Sequence, residues 1–332
     1  MLTLKPKTWP GAIRKVTLGA GSRRPLTVGG GRGLPLHFFE ADFPHRPVLA
    51  LEITDVDPPR WIESVRRPWE GVLGQPAAAA RRAVEEYGAD LVMLHLVGTH
   101  PDRGNRSAEQ AVADVRAVLD AVSVPLIVKG PGTGLKQNDV LARVAESCNG
   151  EGLVLHSACQ EDYKTLAAVA VAYGHVLAAE SPIDLNIAKQ LNILLSDANM
   201  NLDRVLIDPL TGALGYGLEY TYSVMERIRL AALGGDPMLT CPLICVVGEE
   251  AWKAKEAKLA GGPEPLWGDQ EKRGVHWEVV TALPLVQAGA DLLVLRHPDA
   301  LAQVRRQLDV WFGPTAQRAR NQEPHQERRT KN

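Results

Sequence analysis

Eight short apolar runs punctuate the chain, and each is followed by a segment with helical spacing. The runs are VLALEIT (48–54), DLVMLHL (90–96), VPLIVKG (124–130), GLVLHS (152–157), HVLAA (175–179), RVLID (204–208), PLICVV (242–247) and DLLVLR (291–296). They are continuously hydrophobic, the pattern of parallel strands covered on both faces. Between them, QPAAAARRAVEEYG carries an apolar stripe and stops on glycine, and SAEQAVADVRAVLDAV opens with Ser107 and Gln110 in capping-box spacing. NDVLARVAESC, EDYKTLAAVAVAYG, DLNIAKQLNILLSDA, EYTYSVMERIRLAALG, DQEKRGVHWEVVTALPLVQAG and DALAQVRRQLDVWF fill the remaining intervals as helices. Eight strand–helix units over about 260 residues predict a (β/α)8 TIM barrel across residues 46–314. An open doubly wound sheet is the alternative, but it rarely runs to eight uniform units. YGADLVML and AGADLLVL both join a helix end to a strand through Gly-Ala-Asp, as repeated units would.

Residues 1–45 read differently. AIRKVTLG and RPLTVGGG alternate in the manner of a β-hairpin that plugs or flanks one barrel end. Residues 315–332 are polar with no apolar face, and disorder is expected there.

Composition narrows the function classes. The chain has 332 residues, 45% hydrophobic and 23% charged, with 37 Lys+Arg against 39 Asp+Glu and a net charge of -2. A dedicated nucleic-acid binder would show a basic surplus. The start lacks the apolar core of a secretory signal, and no apolar stretch is long enough to span a membrane. Four cysteines do not make a disulfide framework, so the cytoplasm is the expected compartment.

In a TIM barrel the chemistry sits at the C-terminal strand ends. Those ends deliver Thr54 and Asp55, His95, Lys129, His156, Glu180 and Ser181, Asp208, Glu249 and Glu250, and Arg296 and His297 to one rim. A site and an ordinary solvated edge are both open readings of such a list. In the plainest case His95 and His156 each donate to a nearby backbone carbonyl. The glycine-rich turn after Lys129 is either an anion cradle or a simple tight turn, and its spacing is not that of a P-loop. Cys241 and Cys245, spaced C-x3-C on a strand, lie about 13 Å apart at roughly 3.3 Å per residue. They suit a core better than a zinc ion or a cluster. The loop DPLTGALGYGLEYTY after the sixth run carries Gly212, Gly215 and Gly217 in the order G-x-x-G-x-G, the reverse of the dinucleotide fingerprint. It is either a turn with core tyrosines or a surface for a flat organic group or a protein.

The segments DPLTGALGYGLEYTYSVMERIRLAALGGD, CPLICVVGEEAWKAKEAK and WGDQEKRGVHWEVVTALPLVQAGADLLVLRHPDA, with SPIDLNIAKQLNILL, resemble the small subunit of the corrinoid iron–sulfur protein. Its archaeal counterpart is the delta subunit of the acetyl-CoA decarbonylase/synthase complex. The resemblance spans about residues 45 to 312. It implies a barrel subunit, not catalytic by itself, in a heterodimer with a large subunit that carries the iron–sulfur cluster and a cobalamin domain. In that family the pair carries a methyl group in the reductive acetyl-CoA (Wood–Ljungdahl) pathway. A methyltetrahydrofolate methyltransferase loads it and acetyl-CoA synthase receives it, both as transient partners. The corrinoid lies between the cobalamin domain and the barrel top, and the cluster belongs to the large subunit.

From fold position alone, His95, Lys129, His156, Asp208, Thr211, Gly212, Gly215 and Tyr216 are expected to line the corrinoid surface, with no catalytic residue and no metal ligand in this chain. One alternative is a pterin-binding methyltetrahydrofolate methyltransferase barrel using Asn186 and Asp208. The other is a scaffold whose rim touches only protein.

Overall fold

The structure is a computed structural model describing residues 6–132, 134–260 and 265–313. A two-stranded antiparallel hairpin, β1 (Lys15–Leu18) and β2 (Leu26–Gly29), precedes eight parallel strands that close into a barrel. The barrel strands are β3 (Val48–Thr54), β4 (Leu91–His95), β5 (Leu126–Lys129), β6 (Val154–Ala158), β7 (Val176–Glu180), β8 (Val205–Asp208), β9 (Leu243–Val246) and β10 (Ala290–Leu295). Closure is made by β10 against β3, with Leu292 level with Val48 and Leu295 with Leu51. This is the (β/α)8 barrel that the eight runs predict. The expected polar tail lies outside the described residues.

The helices are α1 (Glu63–Arg66), α2 (Pro76–Glu85), α3 (Ala108–Ala121), α4 (Gly134–Ser147), α5 (Tyr163–Tyr173), α6 (Leu185–Asp197), α7 (Leu218–Leu233), α8 (Val247–Ala251), α9 (Lys255–Lys258), α10 (Gln270–Gln287) and α11 (Pro298–Phe312). Ser107 caps α3 through the capping box its spacing predicts, accepting from Gln110 N while Gln110 Oε1 accepts from Ser107 N. Helix α4 starts at Gly134, four residues before the predicted Asn138. Its first two residues are exposed, so the apolar stripe that signals a helix begins only later. The short α1, α8 and α9 escape the pattern because four or five residues hold no full apolar period.

Two apolar layers follow from the two faces of each strand. Leu49, Leu51, Ile53, Val92 and Leu94 face the surrounding helices. Their neighbours Val48, Ala50, Leu91, Met93, Ile127, Val154, Val176, Ala178, Leu206, Ile244, Leu292 and Val294 fill the barrel interior. Val16, Leu18 and Val28 of the hairpin belong to that same inner cluster, so the hairpin plugs the N-terminal end of the barrel. Gly19 N and Ala20 N donate to the carbonyls of Gly152 (3.0 Å) and Glu151 (3.0 Å), and Arg14 N donates to Thr240 O (2.8 Å). The loops below β6 and β9 therefore hold the plug in place. No helix among the described residues is long and apolar enough to cross a membrane.

Leu18 is fully buried in the plug. Leu18→Ala is expected to lower unfolding stability by about 2–5 kcal/mol, the range for a large-to-small core change. Val310→Ala, at a position 66% exposed on α11, is expected to change it by less than about 0.5 kcal/mol. Denaturant unfolding of both variants checks this, and equal effects would refute the plug's role.

Candidate functional site

Side chains on a strand alternate between faces, so the inward positions continue upward in steps of two. On β3 the series Val48, Ala50 is followed by Glu52. On β4, Leu91 and Met93 lead to His95. The same count reaches Lys129 on β5, His156 on β6, Glu180 on β7, Asp208 on β8 and Arg296 just past β10. The apolar interior therefore ends in a layer of charged and imidazole groups at the C-terminal mouth.

That layer is internally paired. Glu52 is 1% exposed. Its Oε2 accepts from Arg296 Nε (2.9 Å) and Nη2 (2.6 Å), and its Oε1 lies 2.9 Å from His95 Nδ1. Burial by itself would raise the Glu52 carboxyl, but the Arg296 guanidinium and His95 outweigh it and hold the pKa at about 2. Lys129 ion-pairs with Glu249 Oε2, while Lys253 Nζ reaches Glu249 Oε1 at 3.1 Å and Glu250 at 2.7 Å. Burial opposes charge on both partners of the Lys129–Glu249 pair. Their mutual attraction prevails, so the lysine titrates above and the carboxyl far below the ordinary range. His156 Nε2 sits 2.7 Å from Asp208 Oδ2, and Asp208 Oδ1 accepts from Leu210 N at 2.9 Å. His156 Nδ1 is buried and has no partner. Ser157 Oγ donates to Glu180 at 2.5 Å. The two histidines thus face carboxylates rather than the backbone carbonyls expected of them.

A further carboxylate supports the layer from outside the barrel. Glu278 on α10 is fully buried and accepts from Arg296 N (2.5 Å), Trp252 Nε1 (2.7 Å) and His297 N (3.2 Å). Burial, only partly offset by these donors and the Arg296 charge, lifts its pKa to about 7. Gly248 lets α8 approach, because a Cβ there would stand 2.6 Å from Arg296 N and 2.9 Å from Glu278 Oε1.

The mouth opens into a cavity of about 350 Å³. His95, Lys129, His156, Asp208 and Thr211, five of the eight residues expected at the rim, line it together. Five carboxylates, Asp162, Glu180, Asp208, Glu249 and Glu250, outnumber its two permanent cations, Arg103 and Lys129. A neighbouring lobe of about 280 Å³ shares His95, Arg103 and Glu249 with it and continues past Trp61, Trp252 and Arg296.

Gly212, Gly215 and Tyr216 lie elsewhere. Gly212 is buried, donates to Thr221 Oγ1 (2.8 Å), and has the Gly217 backbone 2.5 Å from where a Cβ would stand. It shapes the loop and does not line the cavity. Tyr216 is half exposed, and its hydroxyl donates to Glu256 on α9 at 3.0 Å. Tyr216 and Tyr220 are surface groups, and of the loop's three tyrosines only Tyr222, partly buried, packs against the core. The turn after Lys129 does not present a free amide at Gly132, whose N donates to Gln137 Oε1 at 2.9 Å. Asp55 points into the wall, where Gly98 N (2.9 Å) and Arg106 (3.0 Å) occupy it. His297 caps α11 by accepting from Asp299 N. Asn186 is exposed on the first turn of α6 and is no part of the cavity lining. Cys241 and Cys245 are buried and unpaired with each other.

Glu52 and Glu278 are absent from the sequence-derived rim. Glu52 was findable by carrying the i, i+2 count of β3 one step further. Glu278 lies mid-helix, and nothing local marks it. Glu52, His95 and Glu249 place three potential ligand atoms within 4.8 Å of one another. Arg296, Lys129 and Lys253 already supply the countercharge there.

Fold and mouth together define a (β/α)8 barrel protein with a charged, partly open C-terminal site. Solved dihydropteroate synthases share the fold. The Xanthomonas albilineans enzyme in complex with 7,8-dihydropteroate superposes with a TM-score of 0.55 at 17% identity, over 86% of this chain and 97% of that one. Residues 15–306 match the family of the CO dehydrogenase/acetyl-CoA synthase delta subunit, and the chain belongs to that family. Acetyl-CoA decarbonylase/synthase complex subunit delta of Archaeoglobus fulgidus is 40% identical over 316 residues, 92% of this chain and 70% of that protein. Subunit delta 1 of Methanosarcina thermophila is 37% identical over 92% of this chain and 72% of its own length.

Two outcomes follow from the pairing. Glu52→Ala leaves Arg296 buried without its countercharge and is expected to cost about 3–5 kcal/mol in denaturant unfolding. A loss below about 1 kcal/mol would show that the pair is not needed. Glu278 acts in the opposite sense, because its folded pKa lies above the 4.5 of the free group. Its ionisation therefore opposes folding, and stability is expected to fall as pH rises from about 4.5 to 7, by up to roughly 3 kcal/mol. Melting temperature against pH for wild type and Glu278→Gln measures this. A slope unchanged in the variant would assign the pH dependence elsewhere.

Proposed function

We propose that this chain is the barrel subunit of a two-subunit corrinoid protein. It covers one face of a corrinoid held by a larger partner subunit, which also carries the iron–sulfur cluster. The pair moves a methyl group from a methyltetrahydrofolate methyltransferase to acetyl-CoA synthase. Membership of the delta-subunit family supports the setting. The observation that carries the reading is the mouth itself. A cavity of about 350 Å³ is at the small end of small-molecule sites and cannot enclose a corrin macrocycle with its amide side chains. Such a ligand would lie across the opening.

The residues present fit that role. The amide N–H groups that fringe a corrin would find acceptors in Glu180, Asp208 and Asp162, and the amide carbonyls would find Lys129 and Arg103. His156 Nδ1 supplies one buried polar atom still lacking a partner. The cobalt centre supplies the methyl-carrying chemistry. This chain's residues orient the ring edge and keep water from the covered face. The fixed ion pairs make the surface rigid in advance of binding, which limits the ordering cost.

The test is co-expression with the large subunit. Complex formation and slow loss of the corrinoid absorbance are expected. Replacing Lys129 and Glu249 together by Met and Gln keeps net charge constant and is expected to speed that loss roughly tenfold, one charge-assisted contact or more. No complex, or the same corrinoid loss with and without this chain, would defeat the reading.

One observation favours a second reading. The cavity size suits a pterin, and Asp208 lines it. Calorimetry of the isolated chain with methyltetrahydrofolate decides: saturable micromolar binding would support a pterin-binding methyltransferase barrel.

A further inference from the structure

The two lobes of the mouth carry opposite charge. The larger is acidic. The smaller is lined by five permanent cations, Arg60, Arg103, Lys253, Lys258 and Arg296, against the two carboxylates Glu52 and Glu249. Both carboxylates are already committed, Glu52 to Arg296 and His95, and Glu249 to Lys129 and Lys253. The side chains of Arg60, Arg103 and Lys258 make no hydrogen bond or ion pair with any other described residue. They come from three separate places: the segment after β3, the second of two 3-10 turns after β4 (Pro101–Arg103), and α9. A chain of net charge -2 therefore directs three uncompensated cations at one concavity, where low-dielectric walls concentrate their field. The lobe also has a flat apolar wall. The Trp61 indole lies under the Arg296 guanidinium, 5.0 Å from ring centroid to Cζ.

We propose that this cationic lobe is an oxyanion subsite, taking a phosphate ester or carboxylate on an arm of the ligand whose N–H-rich body lies over the acidic lobe. The proposal deepens the mouth reading above and rests on it for the ligand's body, while oxyanion binding can be measured without any corrinoid. Two sources share this chemistry: the phosphodiester of a corrinoid's nucleotide arm, and the glutamate carboxylates of a folate. In either case Arg60, Arg103 and Lys258 would donate charge-assisted hydrogen bonds. Arg103, common to both lobes, would mark the junction between arm and body.

The experiment uses the full chain and inorganic pyrophosphate as the probe, by calorimetry at low ionic strength. Saturable binding is expected, weakening as salt rises through the screening range. The triple variant Arg60→Gln, Arg103→Gln, Lys258→Gln leaves the Glu52 pairing untouched. It is expected to weaken pyrophosphate by at least ~10-fold, with an unchanged melting temperature. Lys258→Glu alone, at an exposed position, is expected to act in the same direction and serves if the triple variant does not fold. The source is then separated by paired ligands offered to the complex with the large subunit. Cobalamin binding more tightly than cobinamide, with the difference lost in the triple variant, identifies the phosphodiester. Triglutamyl methyltetrahydrofolate binding more tightly than the monoglutamate, with the difference lost, identifies the carboxylates. No pyrophosphate binding by wild type, or equal affinity in wild type and variants, overturns the subsite. Pyrophosphate binding by a chain that forms no complex with the large subunit would leave the subsite standing and sink the corrinoid reading instead.

Discussion

A buried charge must be neutralised where it stands, and the upper half of this barrel is organised around that constraint. Glu52 on β3 and Arg296 just past the end of β10 meet at the mouth of the ring, where the pairing of those two strands closes it. Taking either ion out of water costs several kcal/mol, which is recovered only if the partner is held in place with its remaining donors satisfied. The rest of the layer is read from that requirement. His95 fills the second oxygen of Glu52. Glu278 fixes the Arg296 backbone from outside the barrel. Gly248 leaves the space in which the three elements meet.

The consequence is a barrel with two unlike ends. At the N-terminal end the interior stays apolar, and the hairpin seals it with Val16, Leu18 and Val28. At the C-terminal end the interior becomes ionic and no element of the described chain covers it. Polar groups in that layer are either spent on one another or directed outward. The lining is weighted by sign, with carboxylates in excess in one lobe and cations in excess in the other. Such sorting costs self-repulsion within each lobe and stabilises nothing in the isolated chain. A bound ligand or partner surface of complementary charge is what would recover that cost.

Much of the fold was legible in the sequence because its signals are local. Continuous apolar runs mark strands buried on both faces, the intervening stripes mark helices, and Ser107 with Gln110 marks a cap within four residues. Family membership was legible too, in the long segment from Asp208 onward. The site was legible only by halves. His95, Lys129, His156 and Asp208 follow from standing at strand ends, and Thr211 from the loop just after β8. Gly212, Gly215 and Tyr216 share the same loop as Thr211 and yet miss the cavity, because the loop turns back on itself at Gly212 and carries Tyr216 over to α9. Position along a chain says which rim a loop belongs to, and does not say which way its tip folds.

What the sequence determined by itself was the number of units, their parallel order and the end at which polar groups collect. Those depend on hydrophobic period and chain length alone. What only the tertiary structure decided was who pairs with whom. Glu52 and Arg296 are 244 residues apart, and Lys129 and Glu249 are 120 apart. Closing the barrel brings them into contact, and no local pattern encodes such a meeting. The separation of the mouth into an acidic and a cationic lobe arises in the same way, as a property of strand register and helix placement rather than of any segment.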